Sequence, residues 1–178
     1  YERICFMTGK LEMYDAQRRL QGYIDTMQKH GLKVTPEMVF EGDYWRSKGA
    51  EAVEWFTQGD QLPQAIVCAN DYMAISVCNA LYGKGIRVPE DVCVSGYDDV
   101  DEAKYSIPSI SSMHVSACEM GRAAVQILKN VNEGVEQKQD VYIGVEPCYR
   151  GSCGCSDEKD GRSTKELFIL KEAQQRIL

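Results

Sequence analysis

The chain has 178 residues, 44% hydrophobic and 26% charged, ordinary proportions for a globular protein long enough to bury a sizeable core in one domain or a little more. Twenty basic residues against 27 acidic ones give a net charge of −7, a sign that repels phosphate backbones and argues against direct nucleic-acid contact by this segment. No apolar run approaches the ~18–20 residues of a membrane span and no signal-like start is visible, so a cytoplasmic location without membrane contact is expected.

Along the chain, apolar runs alternate with helical patterns. ICFMTG (4–9) reads as a strand closed by glycine. Asp15 is the expected cap of a helix in which Ala16, Leu20, Ile24 and Met27 recur at helical spacing, and Gly31 stops it. EMVFEGD (37–43) reads as a second strand, followed by a helix carrying Ala50, Val53 and Phe56 that ends at Gly59. QAIVCAN (64–70) is a third strand. Its helix opens at Asp71 as the expected N-cap, carries Ala74, Val77 or Cys78, and Leu81, and stops at the Gly83–Gly85 turn. DVCVSG (91–96) is a fourth strand. Strands alternating with helices predict crossover units, and so an α/β fold: a parallel sheet flanked by helices.

The pattern then changes. SIPSISSMHV (106–115) predicts a further strand through Ile110, Met113 and Val115. A helix over about 116–132 follows, with Met120, Ala124, Ile127, Leu128 and Val131 on one side. VNEGVEQKQ (131–139) reads as a loop, and DVYIGVEPCYR (140–150) alternates like an exposed edge strand. SCGCSDEKDGRS (152–163) has a linker's composition. STKELFILKEAQQRIL (163–178) predicts a terminal helix, capped by Ser163 or Thr164 with Glu166 near the capping-box position. Its near-heptad Leu167, Leu170, Gln174 and Ile177 are too few for a coiled coil.

Eight cysteines are present. Cys5, Cys68 and Cys93 lie in strand-like runs and Cys78 and Cys118 in helical ones, as small buried hydrophobes do. Cys148, Cys153 and Cys155 cluster, but zinc-type C-x₂-C pairs are absent and both histidines are far away, so reduced structural thiols and no metal are expected. Catalysis within the segment is not expected either. There is no G-x-S-x-G, no Gly-rich phosphate loop, and neither His30 nor His114 has a partner visible in the sequence.

In an open parallel sheet, ligands sit outside the carboxyl ends of the strands. The predicted strands deliver to that edge Thr8–Gly9 and the Asp15–Arg19 region, Tyr44–Trp45, Asn70–Asp71 and Tyr97–Asp98–Asp99. Arg19 offers a five-donor fork, Asn70 an amide that donates and accepts, Asp98 a carboxylate, and Tyr44 or Trp45 an aromatic face. That set suits a sugar, a nucleobase or a nucleoside. The plainer reading of each residue is structural: Asp71 a cap, Asn70 a turn former, Arg19 solvated, the aromatics covering core edges, and Asp101 and Glu102 the solvated first turn of a short helix.

The runs ICFMTG, VFEGD, AIVCANDYMAISVCNALYGKGIRVPEDVCVSGYDDVDEA, IPSISSMHV and YRGSC resemble, in order and spacing, the C-terminal half of the LacI/GalR family effector-binding domain, itself similar to a periplasmic sugar-binding protein. The resemblance covers about residues 3–153. It implies that Arg19, Asn70 and Asp98 hydrogen-bond an effector, that Tyr44 or Trp45 stacks on it, and that Gly22 packs a helix. It further implies a ligand-binding lobe over 1–115, a crossover helix and strand returning between lobes over 116–150, a linker over 151–162 and a connector helix over 163–178. The family's first lobe and helix-turn-helix have no counterpart here, so only half a cleft is expected, with an uncovered apolar face on the 116–132 helix. Implied partners are a small-molecule effector of the sugar or nucleoside class and a second copy as homodimer, with no cofactor. The connector suggests a signalling output such as a GGDEF diguanylate cyclase, a histidine kinase or an AraC-type domain. A LacI-type repressor fragment, or a dimerisation module that has lost its ligand, are the alternatives.

Overall fold

Four short parallel strands form the centre of the structure, a computed structural model that describes residues 1–135 and 140–155. They are β1 (Ile4–Thr8), β2 (Val39–Glu41), β3 (Ala65–Cys68) and β4 (Cys93–Ser95), in the spatial order β2-β1-β3-β4. Around them run α1 (Tyr14–Lys29), α2 (Gly49–Phe56), α3 (Asp71–Gly83) and the short α4 (Asp101–Tyr105). This is the parallel α/β arrangement that the alternating pattern predicts. The chain leaves β1 to one side for β2 and returns to the other side for β3, so the strand order reverses between β1 and β3. At such a switch point the crossovers diverge and leave a crevice beyond the strand ends.

The strands are apolar because helices cover both faces of the sheet. Met7, Ile66 and Val94 are essentially fully buried, as are Phe56 of α2 and Met73 and Leu81 of α3. α1 is fixed by Tyr23, whose ring stacks on Phe6 at 5.1 Å and whose hydroxyl donates to the Ile4 carbonyl at 2.7 Å. The run 37–43 is only partly strand: Pro36–Met38 forms one 3-10 turn, where proline's fixed φ starts a helical turn, before β2 begins.

Both expected helix caps shift toward the amino end, the first by two residues and the second by one. α1 starts at Tyr14 with Met13 in the cap position and no side-chain cap, so Asp15 lies inside the first turn. α3 is capped by Asn70, whose Oδ1 accepts from the Met73 amide at 3.0 Å, and Asp71 is its first helical residue.

Beyond α4, the chain forms a second sheet of two antiparallel strands, β5 (Ser112–Val115) and β6 (Val145–Cys148). Ile110 precedes β5 rather than lying in it and is fully buried. Between the two strands runs α5 (Ala117–Asn132), capped by Ser116, whose Oγ accepts from the Glu119 amide at 3.2 Å. No residue of α5 is buried: Val125 is 67% exposed, Leu128 69% and Val131 61%. Cys118 is exposed with it, unlike the buried hydrophobe expected, because no described residue covers this helix.

After β6, Gly151–Cys153 makes a 3-10 turn against β4, and Ser152 is wholly buried. Its Oγ donates to the Val94 carbonyl at 2.6 Å and accepts from the Ser111 amide at 2.8 Å. The rest of the expected linker and the expected connector helix lie outside the described residues.

Two truncations separate the two kinds of apolar surface. Phe56→Ala in the core is expected to lower the unfolding free energy by about 3–5 kcal/mol, whereas Leu128→Ala in this 178-residue chain should stay within about 0.5 kcal/mol. Urea titration followed by circular dichroism measures both, and a large loss at Leu128 would show that its face is covered.

Candidate functional site

The carboxyl ends of β1, β3 and β4 converge on one guanidinium. Arg19, one turn into α1, lies over the Tyr97 ring with its central carbon 4.0 Å from the ring centroid, and 5.8 Å from that of Tyr44. One of its Nη atoms donates to the Ala69 carbonyl, beyond β3. The other stands 3.8 Å from Asp98 Oδ1, beyond β4. That separation is too long for a close two-point ion pair, and both side chains are partly exposed. Burial raises the Asp98 carboxyl above its usual range and the Arg19 charge pulls it back.

The backbone here is strained. Tyr44 (φ 68), Asp98 (φ 102) and Asp99 (φ 58) are the non-glycine residues with positive φ among those described, and all sit at this edge. Such conformations cost on the order of 1–3 kcal/mol each and persist only where surrounding contacts over-determine them. The Asp98 amide donates to the Met113 carbonyl at 3.0 Å and the Asp99 amide to Ser112 Oγ at 3.1 Å, so β5 holds the loop. Tyr44 donates its hydroxyl to Asp15 Oδ2 at 2.6 Å, while its carbonyl accepts from Asn70 Nδ2 at 3.0 Å. The Tyr44 ring lies directly on Gly9, where any Cβ would collide with it. The strand-ending glycine is therefore a close-approach position.

Of the expected site residues, Arg19, Tyr44 and Asp98 come together, with the buried Asn70 beneath them as helix cap and Tyr44 anchor. Trp45 is placed differently. It is 66% exposed and stacks on Tyr72 at 6.3 Å, with Arg46 5.0 Å from the same Tyr72 ring.

Three contributors were not legible as such. Tyr97 reads as the end of a strand, yet it is the platform for Arg19. Asp71 reads as a cap, yet its carboxylate is fully buried, accepting from Ser112 Oγ at 2.6 Å and from the Val100 amide at 2.9 Å. Asp99, one of the acids at the end of β4, is turned away from solvent: its side chain is 6% exposed, 2.5 Å from Arg150 Nη2 and 2.9 Å from His114 Nδ1. Burial alone would raise the Asp99 carboxyl, but these hydrogen bonds and the Arg150 and Lys104 charges outweigh it and hold it low. Asp101 and Glu102 do form the acidic first turn of α4, as expected.

Chemically the edge offers a planar cation, a carboxylate at a distance from it, and two aromatic faces. Among the described residues no group of three His, Cys, Asp or Glu side chains is placed to hold a metal ion. Two cavities lie elsewhere. One of about 510 Å³, lined by Arg3, Glu37 and Trp55 among others, opens beyond the amino ends of the strands, and one of about 350 Å³, lined by Tyr82, Ile86, Val88 and Ile107 among others, lies between α3 and the segment after α4. The Arg19–Asp98 edge is open, with the two charged side chains 26% and 41% exposed.

Residues 1–153 match the family described as periplasmic binding protein-like domain. The HTH-type transcriptional repressor PurR of Pasteurella multocida (strain Pm70) is 33% identical over 153 residues, covering 85% of this chain and 46% of that protein. The HTH-type transcriptional regulator AscG of Escherichia coli (strain K12) is 35% identical over 120 residues, covering 67% of this chain and 36% of that protein. A sugar-binding transcriptional regulator of the LacI family from Escherichia coli, solved in complex with phosphate, superposes with a TM-score of 0.77 at 31% identity over 85% of this chain and 54% of that one. The transcriptional regulator CelR in complex with cellobiose gives 0.79 at 28% identity, over 85% and 47%. The chain thus spans a little under half the length of the PurR relative.

Burial pushes the Asp71 carboxyl up to about 6, above the ~3.9 of an unfolded aspartate. The folded state then keeps a proton that the unfolded state has lost, so the contribution of Asp71 to stability is greatest below pH ~4 and falls as pH rises through about 6. Denaturant titrations of wild type and Asp71→Asn between pH 4 and 7 should show the wild type losing ground to the variant as pH rises; a constant difference would mean that the carboxyl does not titrate there.

Proposed function

This chain belongs to the LacI/GalR family of periplasmic-binding-protein-like effector domains, and we propose that it forms one lobe of the sensor of a transcription regulator, gripping a small polar ring compound of the sugar or nucleoside class. The observation that carries this reading is the Arg19 guanidinium laid on Tyr97 and left 3.8 Å from Asp98 at the switch point of the sheet. A pair that does not close on itself keeps donors and lone pairs for a ligand with adjacent hydroxyl or ring nitrogen groups. Tyr44 supplies an apolar face to such a ring, Asn70 a remaining amide proton, and Trp45, on its Tyr72 stack, a rim residue.

The effector is held between this lobe and a second one, and the difference in affinity between open and closed arrangements shifts the output. The uncovered side of α5 is the surface on which the second lobe packs. A DNA-binding output in the cytoplasm is favoured over a diguanylate cyclase or kinase, because PurR and AscG carry HTH-type names and CelR is a transcriptional regulator solved with a sugar. The regulator acts as a homodimer. Tyr82 (86% exposed), Tyr105 (84%) and Ile107 (96%) offer apolar surface away from the effector edge for the second copy. No catalytic step or cofactor is assigned to this segment.

The test is thermal unfolding of the full-length protein against a panel of mono- and disaccharides, nucleobases and nucleosides. One class is expected to stabilise the wild type by about 2.7 kcal/mol at 100-fold excess over Kd. Asp98→Ala should unfold at nearly the wild-type temperature without ligand and lose that gain. A gain retained in Asp98→Ala would remove Asp98 from the site, and no response to any member of the panel would overturn the sensor reading in favour of a pure dimerisation module.

A further inference from the structure

The cavity of about 510 Å³ beyond the amino ends of the strands is built from side chains that the effector edge does not use. It lies between the Pro36–Met38 turn and the carboxyl end of α2, with buried Met38 in its lining and Trp55 as an aromatic wall. Trp55 is 41% exposed, yet it is fixed. Its indole N–H donates to the Glu37 carbonyl at 3.0 Å, and its ring is tilted against Phe40 at a centroid distance of 6.4 Å. Small-molecule sites commonly have roughly 300–1,000 Å³, an apolar lining and a few convergent polar groups.

Two opposite charges complete the lining. Arg3 donates from one Nη to the Gln61 carbonyl and from the other to the Phe56 carbonyl at 3.4 Å, which holds the last turn of α2. These contacts aim the guanidinium without using all five of its donors. Gly59 leaves it uncovered. A Cβ there would stand 3.6 and 3.8 Å from the two Nη atoms of Arg3, in ordinary contact, and Gly59 is not among the glycines with positive φ. Its backbone therefore does not require glycine, and the missing side chain keeps the fork open. Glu37 is exposed, and hydrogen bonds from its own amide and from Thr35 hold its carboxyl below the usual range, with the Arg3 charge adding to the effect. Burial pushes the Cys5 thiol in β1 up to about 11, Arg3 draws it back and Glu37 adds to the rise, so both charges reach one point.

We propose that this cavity binds a free α-amino acid with a large apolar side chain: its carboxylate on Arg3, its ammonium on Glu37 and its side chain against Trp55 and Met38. A cation and an anion beside one apolar wall match a zwitterion better than a ligand of single charge. A guanidinium fork takes a carboxylate through two parallel N–H groups. An ionised carboxylate such as Glu37 only accepts, which suits the three donors of an ammonium. Arg3, Glu37 and Trp55 come from the entry to β1, the turn before β2 and α2, so the bound amino acid ties three segments together and stabilises the folded state by mass action. The site lies at the opposite end of β1 from the effector edge, and this inference does not rest on the sensor reading.

Isothermal titration of the full-length protein with L-phenylalanine is the test, with one molecule expected per chain. 3-Phenylpropionate, which lacks the ammonium, and phenethylamine, which lacks the carboxylate, should each bind about tenfold more weakly or worse. Glu37→Gln should weaken L-phenylalanine about tenfold and leave 3-phenylpropionate unchanged. Gly59→Ala, which covers the guanidinium without removing its hold on α2, should weaken L-phenylalanine and leave phenethylamine unchanged. Both positions are exposed, and unaltered thermal unfolding of the ligand-free variants checks that they fold. No binding of L-phenylalanine, equal binding of the three compounds, or binding insensitive to both variants would overturn the proposal. So would loss of L-phenylalanine binding in Asp98→Ala, which would move the ligand to the effector edge.

Discussion

The described lobe is tied together at the Asp71 carboxylate. It sits at the first residue of α3, yet its two oxygens take a hydroxyl proton from Ser112 in β5 and an amide proton from Val100 at the entry to α4. Gly96 is pressed so closely against Asp71 that a side chain there would displace it. One buried anion thus joins a central helix, the end of β4 and the first strand of the second sheet. Burying a carboxylate is unfavourable unless hydrogen bonds and the helix amino end compensate, and both are present. A residue that looks like a helix cap is a cross-brace between the two sheets.

That brace explains how the strained edge survives. Asp98 and Asp99 occupy left-handed backbone conformations because Ser112 and Met113 of β5 capture their amides, and β5 is in register because Asp71 holds Ser112. Asp99 then closes the circuit through Arg150, which follows β6. The consequence is a carboxylate at position 98 whose placement is decided before anything binds. Preorganisation of this kind moves the ordering cost from binding to folding.

Much of the fold could be read from the sequence, since the switch between strand-like apolar runs and helical spacing is a local property. The strand-end residues Arg19, Asn70 and Asp98 could be placed on one edge by the topology that alternation dictates. What escaped were properties that depend on remote partners or on backbone angles. Asn70 and Asp71 are both good caps, and only the dihedral angles decide which one is used. The acids at 98 and 99 are chemically identical, and their different fates follow from Arg150, which lies far along the chain. Tyr97 is an ordinary aromatic until Arg19 lies on it. Trp45 follows Tyr44 in the sequence, and its stack on Tyr72 in the first turn of α3 depends on a partner that the sequence does not reveal.

The way α5 is mounted has a mechanical consequence. It is inserted between β5 and β6, so the helix is carried on a two-stranded antiparallel ribbon whose other end is clamped by Asp71, Asp99 and Ser152. Paired strands resist sliding past one another, because that would break every cross-strand hydrogen bond at once, but they flex readily out of their own plane. Such a ribbon works as a leaf spring. Bending it at the clamp would tilt α5 as a lever, most at the end of the helix farthest from the clamp.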